Sequence, residues 1–470
     1  MSRKTESCFI HSRAPRPAHG QQHLPVKLRS RRSFAVAAWA CLWLAGLPGV
    51  ASAQSLRELY EAARSFDGSY LAARANAKAA EFRAAQSDAL NRPTVGAVAG
   101  ANVTLTDPPN IGAKTTNSLS ASLNSRYPLF NRVNAVTIEQ ARKSLVSVQA
   151  DLDTAEQDLI LRISQAYFDV LAAQDTLSTT QASKKFITEQ LASAKRNFEV
   201  GTATITDTRE AQARFDLATA QELAADNELR SRRINLETLV GRQGVTPKPL
   251  LLPATLPPVI PANPEQWVTE ADQRHPTVRR ARVAMDLAQL ETAKARAAEL
   301  PIVDAVANVG ASDARGTLPS LNRSTGGTFS AGVGVQMNWQ LYTGGLTQNR
   351  IKETLALEEK ARNDLEAARR SIGQTARVAY FNLQSGLAQV KALEAAESSS
   401  KLALEATQLG FRVGVRVNLD VLNAQSQLFT TQRDLARARY EVVLGSLRLR
   451  QASGQLAPSD VEAVNRLLTP

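Results

Sequence analysis

The sequence predicts an α+β membrane protein in which long helices are joined to a few strands of membrane-crossing length. Three observations predict this fold class: an N-terminal segment typical of an export signal, an internal repeat of about 200 residues, and strands that alternate apolar residues with polar residues or glycine. Of the 470 residues 43% are hydrophobic, which is enough for several domain-sized cores.

Residues 1–53 are predicted to be a signal peptide. A basic segment with Lys27 and Arg29 precedes the apolar run 34–47, and the small residues Ala51-Ser52-Ala53 follow it, so cleavage is expected before Gln54. A membrane anchor is the alternative, but this apolar run is shorter than the roughly 20 residues that span a bilayer. The mature chain is therefore expected to leave the cytoplasm.

The leader also contains most residues that carry special chemistry. It holds both cysteines, Cys8 and Cys41, and three of the four histidines, which leaves His275 in the mature chain. Disulfides, thiolate nucleophiles and cysteine or histidine-pair metal sites are therefore excluded. No phosphate-binding loop, G-x-S-x-G or H-E-x-x-H motif is present, so we predict no catalytic, cofactor or metal site and no enzyme activity.

The positive charge does not indicate a nucleic-acid partner. The leader contributes +7 of the formal net charge of +12, so the remaining 417 residues carry +5. We therefore expect no binding of nucleic acid.

An internal repeat organises the mature chain. Ala166-Tyr167-Phe168 recurs as Ala379-Tyr380-Phe381, 213 positions later. The same spacing relates Phe198, Val200, Gly201, Asp207, Ala211 and Gln212 to Phe411, Val413, Gly414, Asp420, Ala424 and Gln425. The period is far longer than that of solenoid repeats, so the chain is interpreted as two copies of one unit.

The predicted domains follow from this repeat. Repeat 1 covers residues 54–243, repeat 2 covers 267–454, and a tail covers 455–470. Each repeat is expected to contain a helix (56–91 or 277–299), two strands and a long helical hairpin, with Pro93 or Pro301 ending the first helix. Residues 244–266 contain seven prolines and are predicted to form an extended connector.

Strands are predicted after each of these prolines. In repeat 1, residues 94–105 and 119–127 alternate on either side of the turn 107–110, which indicates a hairpin. In repeat 2, residues 329–341 place Phe329, Val333 and Trp339 on an apolar face, opposite polar residues and glycine. These 13 residues exceed the 9 to 11 that a tilted strand needs to cross a bilayer.

The small number of strands constrains the assembly. A soluble sandwich would need a second sheet, and four strands are too few to form one. They are also too few to close a barrel, because the smallest known barrels have about eight strands. Several chains are therefore expected to share one barrel in a membrane. Tyr127 and Trp339 are candidates for its aromatic girdle, although plain packing explains single aromatics equally well.

Long helical hairpins are predicted in both repeats. Residues 131–200 contain no proline or glycine, and apolar residues from Leu145 to Leu177 recur at steps of three and four, as in a coiled coil with one stutter. Gly201 and Gly414 end the first helix of each hairpin, and second helices are expected over 207–241 and 420–454.

The two hairpin tips carry a family resemblance. Residues 198–207 (FEVGTATITD) and 411–425 (FRVGVRVNLDVLNAQ) resemble the tip motifs of the TolC family of outer-membrane exit ducts, and the likeness extends over residues 54–454. It implies a homotrimer in which twelve strands form one barrel among outer-membrane lipids, and a coiled-coil helical barrel continues it across the periplasm. It also implies a periplasmic adaptor (membrane fusion protein) and an inner-membrane ABC exporter or RND-type pump as partners.

The resemblance assigns roles to tip residues. Asp420 matches an aspartate that rings the pore constriction, and Asn423 stands where a second aspartate is expected, which implies three negative charges instead of six. Asp207, Phe411 and Arg416 match an aspartate, a tyrosine and an arginine that lock the closed tip. Phenylalanine lacks the hydroxyl, so the lock is expected to be reduced to an ion pair between Asp207 and Arg416.

A structural role for the aspartates stays open. Asp207 and Asp420 each follow a glycine turn where a helix begins, so both are also expected as helix N-caps, with Glu210 completing a capping box after Asp207. Capping and gating are compatible with each other.

Alternative functions differ in class. Within the duct interpretation, type I secretion of a protein such as a toxin and multidrug efflux both fit the sequence. A periplasmic adaptor also has long helical hairpins, but membrane-crossing strands are not expected in both of its halves. A surface adhesin would place a single short membrane segment at its C-terminus.

Overall fold

The computed structural model describes residues 53–469, except positions 108, 110, 111, 203, 252–255, 257 and 317–325. The predicted leader, apart from Ala53, and two positions of the predicted turn 107–110 lie outside the described residues. The helices are α1 (Leu56–Phe66), α2 (Gly68–Asp88), α3 (Arg132–Glu199), α4 (Ile205–Val240), α5 (Pro264–Arg274), α6 (Pro276–Ala297), α7 (Leu346–Arg412), α8 (Asn418–Ala452) and α9 (Pro458–Asn465). The strands are β1 (Thr94–Thr106), β2 (Lys114–Phe130), β3 (Ile302–Gly316) and β4 (Gly326–Asn338).

The element order repeats along the chain, and each copy begins with two helices where the sequence predicts one. Two helices, two strands and a hairpin of one very long and one shorter helix occur first as α1 to α4 and again as α5 to α8. Helix α3 has 68 residues and α7 has 67, so each is about 100 Å long. Over the described ranges, no helix combines the length and the apolar character required to cross a membrane.

The four strands form one antiparallel sheet in the order β1-β2-β3-β4. Ala97 lies opposite Leu123, Leu123 opposite Val309, and Val309 opposite Ala331. Directly opposed residues share a face, so this register brings the apolar sides of all four strands together. The sheet thus has one largely apolar face, with Val333 89% exposed, and an opposite face rich in serine, asparagine and glycine. At the end far from the helices, Asp313 and Arg315 of β3 lie on the apolar side.

The main core surrounds the middle of α3. Leu159, Ile163 and Val170 of the predicted heptad stripe are fully buried there, against side chains of α1, α4, α8 and α9. The predicted tail contributes α9 to this core, and Leu468 forms a bridge with Leu250 of the connector. Residues near the C-terminal end therefore help to fix the connector.

The repeated Ala-Tyr-Phe segments have a shared structural role. Tyr167 donates its hydroxyl to the backbone oxygen of Lys248 at 2.9 Å, and Tyr380 donates to the backbone oxygen of Ala262. Both tyrosine rings are buried. Each therefore ties a long helix to one end of the proline-rich connector, which explains why the segment occurs in both repeats.

Several boundaries differ from the sequence predictions. Helix α5 begins at Pro264, inside the predicted connector 244–266, because Asn263 caps it and proline fits the first turn of a helix. The predicted helix 56–91 breaks at Asp67, whose extended backbone ends α1 and whose carboxylate accepts a hydrogen bond from the backbone nitrogen of Tyr70 to cap α2. The predicted strand 329–341 ends three residues early, at Asn338, so Trp339 lies beyond β4. Its indole nitrogen instead donates to the backbone oxygen of Glu299 after α6, at 3.0 Å.

Candidate functional site at the helical tips

The first tip turns at Gly201, which has a φ of +78° that residues other than glycine rarely adopt. Helix α4 then begins with a capping box. The Thr204 hydroxyl accepts from the backbone nitrogen of Asp207, and the Asp207 carboxylate accepts from the backbone nitrogen of Thr204 at 3.0 Å. The prediction that Asp207 is the N-cap with Glu210 as its partner is therefore wrong. Thr204 is the N-cap, because the helix starts before Asp207.

The second tip turns at Gly414, with a φ of +83°. Helix α8 begins after Val417, which has no capping side chain, so Asp420 is not the predicted N-cap and lies in the first turn instead. Asp420 Oδ2 lies 3.6 Å from Arg416 Nη1. The stem of Arg416 packs over Gly410, where an added Cβ would lie 2.8 Å from its Cγ. The absence of a side chain at Gly410 therefore positions Arg416.

The two tips lie side by side in one chain. A cavity of about 340 Å³ between them is lined by residues of both, including Asp207, Phe411 and Arg416. The structure therefore brings together the three residues of the expected lock. In the described part of the chain, however, no ion pair joins Asp207 to Arg416, because Asp207 is engaged with Thr204 and Arg416 with Asp420.

Phe411 lies in an apolar environment, where a ring without a hydroxyl needs no hydrogen-bond partner. It packs against a cluster of the buried residues Leu404, Val421 and Leu428. Phe186 of α3 packs against the same cluster. The ring thus contributes to the apolar contact between the two hairpins.

Asn423 has a partner that the sequence analysis did not identify. Arg214 of α4 donates from Nη2 to Asn423 Oδ1 at 3.0 Å, and the same nitrogen lies 4.0 Å from Glu210 Oε1. Arg214 and Asn423 are 209 positions apart, and no spacing pattern in the sequence connects the two residues. Only the juxtaposition of the hairpins shows that an arginine faces the position of the expected second aspartate.

The candidate girdle residues lie toward the helical end of the sheet. Tyr127 is on the apolar face of β2 and is 44% exposed, while Trp339 follows β4 and is 52% exposed. On the opposite face, Arg126 forms an ion pair with the buried carboxylate of Asp304. The charged groups at this end of the sheet thus lie on its polar side, as a water-filled barrel interior requires.

A second cavity of about 700 Å³ lies among α3, α7 and α8, beside His275. His275 caps α6, because its Nδ1 accepts a hydrogen bond from the backbone nitrogen of Thr277 at 3.1 Å. Burial lowers the pKa of His275 from its ordinary value. The same cavity is lined by Asp158, Glu441 and Arg448.

Comparison with known proteins agrees with this architecture. The model of the outer membrane efflux protein family matches residues 59–242 and 267–455. The chain is 32% identical to the outer membrane protein TolC of Vibrio cholerae over 416 residues, which cover 88% of this chain and 93% of that protein. It is 33% identical to the alkaline protease secretion protein AprF of Pseudomonas aeruginosa over 310 residues, 66% of this chain and 64% of AprF.

Solved structures show the same fold. The outer membrane protein VceC of Vibrio cholerae superposes with a TM-score of 0.72 at 20% identity, covering 85% of this chain and 96% of VceC. The predicted fold class is confirmed, as are the outer-membrane location and the function as an exit duct, which exclude the adaptor and adhesin alternatives. The chain belongs to the outer membrane efflux protein family, whose members are outer-membrane ducts.

Proposed function

We propose that three copies of this chain form one passive duct, in which twelve strands close a barrel and the long hairpins line a tunnel across the periplasm. The structure of the sheet is the observation that supports this proposal. Its four strands share an apolar face, and β1 and β4 each pair on one side only within the described residues. Exposed sheet edges are unfavourable in a lipid bilayer, so the edges of neighbouring copies pair to close the barrel. The duct carries out no catalysis of its own.

The hairpin tips are proposed as the docking end for a periplasmic adaptor. Val200 of the first tip is 71% exposed, and Val413 and Val415 of the second are 65% and 75% exposed. Exposed apolar side chains at the end of a long helical tunnel are suited to contact another protein. The adaptor in turn connects the duct to an inner-membrane ABC exporter or RND-type pump, which supplies the energy.

The tips are also proposed as the constriction of the pore. Asp420 and Asn423 face the pore at the level of the first turn of α8, and Asp207, Phe411 and Arg416 hold neighbouring tips together. The cavity that these last three residues share within one chain supports this assignment. Gly201 and Gly414 supply the two tight turns. Tyr127 and Trp339 are proposed to lie at the lipid interface near the periplasm.

Protein export by a type I system, as of a toxin, is the proposed role. AprF, which is named for alkaline protease secretion, is a relative at 33% identity and supports this choice. Multidrug efflux is the second candidate, because the matching family is described as outer membrane efflux proteins.

Deletion of the gene in the native host tests these roles. We expect one or more proteins to disappear from the culture medium and to accumulate in the cells, and complementation with the wild-type gene to restore their export. Unchanged secretion together with a large fall in the minimal inhibitory concentrations of drugs would instead establish efflux. No change in either measurement would contradict the proposed roles.

A further inference from the structure

Arg214 brings a positive charge to the level of the predicted constriction. Its guanidinium donates to the side-chain oxygen of Asn423 at 3.0 Å, across the contact between α4 and α8. A guanidinium stays protonated at any physiological pH. The amide of Asn423 carries no charge, so this hydrogen bond leaves the positive charge of Arg214 in place.

Two ion pairs lie at this level within each chain. Glu210 Oε1 lies 4.0 Å from Arg214, and Arg416 Nη1 lies 3.6 Å from Asp420 Oδ2. These two pairs contain two carboxylates and two guanidinium groups, so their own formal charges sum to zero. Asp207 of the first tip is a further carboxylate, which is engaged with Thr204. The family resemblance implies a ring of three carboxylates, one from each Asp420.

We propose that Arg214 is a specificity-determining residue that removes the cation preference of the constriction and lets anionic and neutral cargo pass. This inference rests on the proposed function, because it requires that three tips meet around one pore. Three guanidinium groups at a narrow opening attract anions just as three carboxylates attract cations. The two sets oppose each other, so the selectivity depends on whether Arg214 is present.

The position of the arginine makes its effect local. Side chains at the tip lie within a few ångströms of each other, well inside the screening length of about 8 Å at physiological ionic strength. Arg230 lies 16 residues further along the same helix, about 24 Å away at 1.5 Å per residue. It is paired with Asp226 at 2.7 Å. Removal of its charge should leave the constriction unaffected.

Reversal potentials in planar bilayers under a gradient of KCl test the inference. We expect wild-type channels to be nearly unselective between potassium and chloride, and Arg214→Gln to raise the ratio of cation to anion permeability by about twofold or more. Arg214→Lys should retain the wild-type ratio, and Asn423→Asp should shift it toward cations. The matched control Arg230→Gln removes the same charge from the same helix and should have no effect.

The outcomes separate this inference from the proposed function. Light scattering first establishes that each variant is a folded trimer. If wild-type trimers do not conduct ions at all, the proposed duct itself is contradicted. If they conduct with a clear cation preference that Arg214→Gln leaves unchanged, the duct stands and the role of Arg214 is overturned.

Discussion

Tyr440 of α8 donates its hydroxyl to Asp175 Oδ2 of α3 at 2.6 Å, which links the two hairpins of a chain at the edge of the main core. Burial raises the pKa of Asp175, and the hydrogen bond from Tyr440 acts against this shift. From this point the hairpins extend toward the tips, where Arg214 and Asn423 form another direct link between them. The hydrogen bond of Tyr440 therefore lies at the start of the part of the two hairpins that ends in the proposed constriction.

Tyr440→Phe should destabilise the protein by about 2 kcal/mol, because it leaves a largely buried carboxylate without its donor. Urea unfolding followed by circular dichroism in detergent measures this change. Tyr60→Phe is a matched control, since Tyr60 donates to Glu156, which also pairs with Arg64 and so keeps a partner. An equal loss in both variants would contradict a special role for the Tyr440 bond.

His275 should make stability depend on pH. Because burial lowers its pKa in the folded state, the unfolded chain binds the proton more readily, and stability falls as the pH drops below the ordinary value of 6.5. Protonation also removes the acceptor that caps α6, which costs about 1 kcal/mol.

His275→Asn isolates this effect. Asparagine is a strong N-cap that does not titrate in this range, so the variant should keep its stability from pH 7 to pH 5 while the wild type loses stability. Thermal melting in detergent at a series of pH values measures the difference. Parallel pH profiles for the two proteins would exclude a contribution from His275.

The two faces of the sheet should respond differently to charge. Leu123 lies at mid-sheet on the apolar face and the adjacent Asn124 on the polar face, and both are exposed within one chain. Leu123→Arg should cost about 2 to 4 kcal/mol per chain if that face contacts lipid, and Asn124→Arg should be tolerated. The yield of trimer in outer-membrane fractions gives a direct comparison. The reverse order of yields would show that the faces have been assigned incorrectly.

Gly454 should not tolerate a side chain. It has a φ of +71°, and an added Cβ would lie 2.5 Å from His275 Cα, where the end of α8 meets the turn between α5 and α6. Gly454→Ala should therefore prevent stable folding or lower the melting temperature strongly. Gly244→Ala is the control, because Gly244 has a similar φ of +72° but open space around it. Its loss should be limited to about 1 to 2 kcal/mol of backbone strain.

Local patterns in the sequence predicted most of the fold. The absence of proline and glycine over residues 131–200 identified α3 to within one residue at each end, because such a segment has few structures that compete with a long helix. Alternation identified the apolar faces of β1, β2 and β4, whereas the bounds and the face of β3 were not predicted. The break at Asp67 was missed, since an aspartate before glycine is a cap signal that alanine-rich surroundings obscure.

Contacts between distant segments could not be predicted in the same way. The register of β2 against β3 places Leu123 opposite Val309, and no turn of fixed length connects these strands. The contact between Arg214 and Asn423 likewise depends on how two hairpins pack. The family resemblance located the tip residues but not their partners, because this chain has asparagine where the resemblance implies aspartate.

Several copies of this chain are proposed to share one conducting barrel. Single-channel recording in planar bilayers tests this, using protein without the predicted leader, purified in detergent and shown by light scattering to be a trimer. We expect discrete conductance steps, one for each inserted trimer, and a constriction whose selectivity changes when Asp420 is replaced by alanine. Folded protein that remains monomeric, or trimers that insert without conducting, would contradict it.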